Sequence, residues 1–137
     1  MIDILIKTLR MQKKDYDYGK FQAVLAIDFD DTICMSNYPE LGIQRRDASK
    51  YINKLMDNDY GIVINTCREG VPLAKAIIWL FENDIPYHYI NCNFPEIIKD
   101  YNADCRKISA DMYIDDKCLT GLPKWKEIHE IVTNKFG

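Results

Sequence analysis

Apolar residues along this chain fall into two alternating patterns, short unbroken runs and stretches in which they return every three or four positions. Runs such as Val24-Leu25-Ala26-Ile27 and Ile62-Val63-Ile64 suit strands buried on both faces, and the spaced stretches suit helices with one buried face. The pattern predicts strands over Phe21 to Phe29, Tyr60 to Thr66, Tyr87 to Ile90 and Asp111 to Asp115. Between them it predicts helices over Arg46 to Asn58, Val71 to Asn83, Phe94 to Tyr101 and Pro123 to Asn134. Ala48, Ile52, Leu55 and Met56 should face inward from the first helix, and Trp125, Ile128, Ile131 and Val132 from the last. Pro72 fits the first turn of the second, where its missing N–H costs nothing. Ahead of the first strand, Ile2, Leu5, Ile6 and Leu9 predict a short amphipathic helix over Ile2 to Lys14, then a polar link over Asp15 to Lys20.

Strands alternating with helices imply an α/β protein, a three-layer Rossmann-like parallel sheet flanked by helices. Right-handed crossovers predict the strand order 3-2-1-4, with the first and fourth strands side by side. We expect one domain over residues 1–137, with 1–20 as an N-terminal helical extension and 21–134 as the core. The composition, 47% hydrophobic and 28% charged, suits one compact core.

A net charge of -3 does not favour a large basic face for nucleic acid, although a local basic patch stays open. Asp3, Lys7 and Arg10 interrupt the apolar residues between Ile2 and Met11, so no signal-peptide pattern is expected, and no run elsewhere is long enough for a membrane. The five cysteines, an odd number with no metal-ligand spacing, read as free thiols. Together these imply a cytoplasmic protein with no membrane partner.

The chemistry concentrates at strand ends, where parallel α/β sheets place their sites. The first strand ends in Asp28-Phe29-Asp30-Asp31-Thr32, and alternation should point Asp28 and Asp30 to one side. Two carboxylates in one small volume repel, and a hard divalent cation such as Mg2+ is the usual relief. The second strand ends in Thr66, whose hydroxyl could hold a phosphate oxygen, followed by Cys67 and Arg68. Cys67 suits a small half-buried loop residue, with a nucleophilic thiol as the alternative. Lys107 could supply a fixed positive charge, and Asp115 and Asp116 close the fourth strand with a second acidic pair. His88 and His129 read as packing or surface residues, Trp79 and Trp125 as helix packing, and Asn37, Tyr38 and Pro39 as turn residues near the site.

In their order, DFDDT, INT, the Lys of RKISAD and YIDD, these segments resemble the haloacid dehalogenase-like (HAD) superfamily of aspartate-nucleophile phosphatases, in its small capless form. The resemblance spans Phe21 to about Val132. It implies a Mg2+-dependent phosphomonoester hydrolase with Asp28 as nucleophile and Asp30 as general acid and base. The metal would be held by Asp28, the Asp30 carbonyl and Asp115, with Asp116 orienting that shell. Thr66 and Lys107 would clamp the phosphate. Arg68 would contact a second anionic group, or else pair at the surface with Glu69 or the helix start. A receiver-like, phosphorylation-dependent signalling domain and a catalytically silent module of the same fold are the alternatives; the receiver has its acidic pair first and its phosphorylated Asp later and alone. The substrate is a phosphorylated molecule of unknown class. The short spacing between motifs leaves no room for a large lid, and in the family an open cleft accompanies large substrates or lids from neighbouring subunits, which keeps a homo-oligomer open.

Overall fold

A computed structural model describes residues 21–137. The helix expected over Ile2 to Lys14 and the link after it lie outside the described residues. Four parallel strands, β1 (Val24–Asp28), β2 (Gly61–Asn65), β3 (Tyr89–Ile90) and β4 (Met112–Ile114), form one sheet in the order β3-β2-β1-β4. Four helices flank it, α1 (Ala48–Asp57), α2 (Gly70–Glu82), α3 (Pro95–Tyr101) and α4 (Trp125–Phe136), and there is no large cap among the described residues. The expected fold class and strand order are therefore those of the protein. No helix among them is long and apolar enough to cross a membrane.

Alternation along the strands divides the core in two. Leu25, Ile27, Ile62 and Ile64 join the buried faces of α1, α2 and α4 in the larger cluster. Val24, Ala26 and Val63 face the other way, onto Phe94 and Ile97 at α3 and onto Ile108. In α1 the buried residues Ala48, Ile52, Leu55 and Met56 fall on the expected stripe, joined by Tyr51. On α4 one expectation fails: Trp125, Ile128 and Val132 are buried, but Ile131 is 49% exposed. At about 100° per residue Ile131 lies roughly 60° outside the arc those three share, so it clears the sheet.

All four strands are shorter than the spans predicted for them, because pairing ends before burial does. Phe29, for instance, follows the last residue of β1 and is fully buried without belonging to the ladder. The pairing of β1 with both β2 and β4 sets Ile27 beside Ile64 and Ile114, so the chain ends that follow these strands converge.

Candidate active site

The segment after β1 folds back on itself. The carbonyl of Phe29 accepts the amides of Ile33 and Cys34 at 3.0 and 3.1 Å, and Asp31 takes a left-handed conformation with φ 61°. This tight turn carries Thr32, which is fully buried, toward the sheet. Its hydroxyl lies 3.0 Å from Asp28 Oδ2 and 3.2 Å from Asp116 Oδ1 and accepts the Asp116 amide at 2.9 Å. With one proton to give, it donates to one carboxylate at a time. Its carbonyl accepts the Trp125 indole N–H at 3.0 Å, tying the turn to α4.

Asp28, Asp115 and Asp116 meet where β1 and β4 end, and each offers a carboxylate oxygen within 4.8 Å of the others. Burial foremost, then a hydrogen bond with Asp116 and repulsion from Asp115, push the Asp28 carboxyl up to about 8, against the opposing Thr32 contact. Three half-buried carboxylates gathered in one place are a set of hard oxygen donors, the chemistry that Mg2+ or Ca2+ takes. The donor set thus fits a divalent metal.

A cavity of about 340 Å3 opens over this cluster, and its wall includes Asp30, Thr66 and Arg68 as well as Asp31, Tyr38, Cys67 and Lys117. Thr66 is held from behind by Asn91, whose side chain accepts the Thr66 amide and donates to its carbonyl, both at 2.8 Å. The Thr66 hydroxyl accepts the Arg68 amide at 3.2 Å and stays at the cavity wall.

Arg68 lines the cavity but is held more deeply than a surface residue. It is 1% exposed, and its Nη2 and Nε donate to Asp30 at 2.7 and 2.9 Å, while Nη1 reaches the Pro39 carbonyl at 3.2 Å. Its guanidinium carbon also lies 4.9 Å from the Tyr38 ring centre and 5.4 Å from that of Phe29. Its ion-pair partner is Asp30 and not Glu69, and Nη1 also reaches the helix start, at the Pro72 carbonyl, at 3.4 Å. Although burial works against ionisation of Asp30, hydrogen bonds from Arg68 and Ser36 and the Arg68 charge outweigh it and hold that carboxyl below its ordinary value.

Lys107 departs from expectation. It is exposed, its ammonium sits 5.0 Å from the centre of the Tyr113 ring, and it does not line the cavity. Tyr113 lies between Met112 and Ile114 on β4 and so projects from the opposite face of the sheet, taking Lys107 with it. Lys117, directly after the acidic pair, lines the cavity instead.

Sequence reading missed Lys117 and Asn91. The first could have been found from its place next to the acidic strand end; the second had only its position after the third strand as a signal. Cys67 is an exposed free thiol at the cavity wall, and His88 is a buried packing residue whose Nδ1 accepts the Ile62 amide at 3.0 Å.

No protein-family model matches the chain, and no curated protein matches it. A solved structure does: a conserved protein coded by a locus of Bacteroides thetaiotaomicron is 30% identical, with a TM-score of 0.74, over 82% of this chain and 91% of that one. At that identity and coverage, the chain belongs to the family of this conserved Bacteroides protein.

Proposed function

We propose that the protein is a Mg2+-dependent phosphomonoester hydrolase of HAD type that works through an aspartyl-phosphate on Asp28. The observation that carries this reading is the meeting of Asp28, Asp115 and Asp116 within 4.8 Å at the carboxyl end of the sheet, beside the hydroxyl-bearing end of β2. Asp28, Asp115 and Asp116 would hold the ion together with the Asp30 carbonyl, and when bound it neutralises charge between nucleophile and phosphate.

An Asp28 oxygen attacks phosphorus, the bond to the leaving oxygen breaks, and a proton from Asp30 completes the alcohol. Asp30 then takes a proton from water as that water attacks the phosphorus and frees inorganic phosphate and Asp28. Thr66 donates its hydroxyl to a phosphoryl oxygen, and Lys117 supplies the fixed charge first sought at Lys107; donors set in advance around developing charge are commonly the largest catalytic term. Because Arg68 holds Asp30 as a carboxylate, proton donation requires the pair to loosen as substrate enters.

That ion pair also favours a second reading. If it holds after the first displacement, the Asp30 oxygens stay on Arg68 and are not offered to water, so the phosphoryl group stays on Asp28 and the domain acts as a slow phosphate carrier, in the manner of a receiver. One experiment separates the two. Supplied with an aryl phosphate and Mg2+, the wild type should release phosphate over many turnovers, and Asp28→Asn should release on the order of 10⁴-fold less, if any. A single burst with a long-lived acid-trapped phosphoprotein would favour the carrier, and full activity in Asp28→Asn would overturn both.

A further inference from the structure

A second cavity, of opposite character, is lined in part by Trp125, whose indole holds the Thr32 carbonyl. It holds about 400 Å3 between the start of α1 and the start of α4, and its lining is Arg45, Arg46, Asp47, Lys124, Trp125 and Lys126. Four cations face one carboxylate there, in a chain whose net charge is -3. None of the four forms an ion pair among the described residues. Arg45 is half-buried and fixed, with Nη1 and Nη2 donating to the carbonyls of Pro123 and Leu122 at 2.8 and 3.2 Å, so neutral groups orient it and its charge stays uncompensated.

The placement is unfavourable for an empty pocket. Lys124 and Lys126 stand at the first turn of a twelve-residue helix, where the positive end of the backbone dipole repels cations, and no side chain caps that end. The acidic residue of that turn, Glu127, does not line the cavity. A fold that brings four cations together here from two distant segments gains most when an anion joins them. Two arginines and two lysines lining one volume match the several oxygens of a phosphoryl dianion better than a single carboxylate. The volume, larger than that of the acidic cavity, leaves room for an organic body beyond the phosphate itself.

We propose that this basic pocket binds a small phosphorylated molecule through its phosphate group, at a site separate from the acidic cavity. The proposal does not rest on the hydrolase reading, because it concerns residues that take no part in that chemistry. Trp125 nonetheless links the two places, since its indole holds the Thr32 carbonyl while the Thr32 hydroxyl touches Asp28 and Asp116.

The test is calorimetric titration of the full chain with inorganic phosphate and with ribose 5-phosphate, in EDTA so that the acidic cavity holds no metal and repels both. Three variants accompany the wild type: Arg46→Ala with Lys126→Ala, Lys124→Gln alone, and Asp28→Asn. Arg46, Lys124 and Lys126 are exposed and unfavourably placed in the empty pocket, so these changes should not lower the melting temperature. The wild type and Asp28→Asn should bind both probes alike, with ribose 5-phosphate the tighter and both weakened by salt. The double variant should bind about tenfold or more weakly, and Lys124→Gln should also lose affinity. Absence of binding by the wild type, equal affinity in the double variant, or loss of binding in Asp28→Asn would each overturn the proposal. So would binding of a single-stranded oligonucleotide with no response to either small probe.

Discussion

Asp28 and Asp30 stand two residues apart on one cavity wall, yet their surroundings are opposite. Asp28 faces Asp115 and Asp116, and its carboxyl is pushed up to about 8. Asp30 faces a buried arginine, and its carboxyl is held below the ordinary range. The chain supplies a counter-charge to one carboxylate and withholds it from the other. The contrast marks where an added cation belongs: Asp30 already has its counter-charge in Arg68, so a metal has its purpose at Asp28, Asp115 and Asp116.

The sharpest way to separate the two acids is by leaving group. Asp30→Asn should slow hydrolysis of alkyl phosphates by ~10²–10⁴-fold, since they need a proton as they depart, and of aryl phosphates far less. Measured rates on a matched pair of esters check this. Equal losses on both would reduce Asp30 to an anchor for Arg68.

A smaller effect should follow from breaking the ion pair at its other end. Arg68→Met leaves Asp30 without its partner and removes donors from a buried position, which costs up to about 3 kcal/mol, the lower end of what a fully buried pair costs, because Asp30 is 26% exposed. For a chain of this size that is on the order of 10 °C in Tm. Combining it with Asp30→Asn should recover part of the loss; additive losses in the double-mutant cycle would mean that Arg68 stabilises through its aromatic and carbonyl contacts instead.

The same contrast sets an opposite response to pH. The Asp28 carboxyl is higher in the folded protein, about 8 against 3.8, so its contribution is fully present below pH 4 and is lost as pH rises through 8. Metal-free protein should therefore lose Tm between pH 5 and 8, and Asp28→Asn should flatten that slope. Asp30, lowered by its partner, acts in the other direction and only in acid: its contribution is lost as pH falls below about 4. A metal-free Tm that climbs from pH 5 to 8 in wild type, or a slope unchanged in Asp28→Asn, would remove the strain assigned to the acidic cluster.

The fold was legible because it rests on local signals. The apolar runs ending in Asp28 and Ile114 mark the strands, and the helical spacing of Ile52, Leu55 and Met56 marks a buried stripe. The acidic cluster was legible for the same reason, since strand order alone brings the ends of β1 and β4 together. Arg68 and Lys107 were not. The partner of Arg68 lies thirty-eight positions away, across a turn whose shape depends on the left-handed Asp31 and the buried Thr32. The direction of Lys107 follows from which face of β4 Tyr113 occupies, and that register is a tertiary property. Lys117, beside the same acidic pair, could equally have been chosen from the sequence, and only the cavity distinguishes them.

If Asp28, Asp115 and Asp116 form one divalent-cation site, a thermal-shift titration with Mg2+ at matched ionic strength should reveal it. A ligand that binds only the folded state raises stability by about 2.7 kcal/mol at a hundredfold excess over Kd, so the wild-type Tm should climb as Mg2+ is added. In Asp115→Asn that climb should shrink or vanish, even though the metal-free variant has lost a repelling charge and should be no less stable than wild type. A wild type indifferent to Mg2+, or identical responses in the two proteins, would mean that the three carboxylates do not form a metal site.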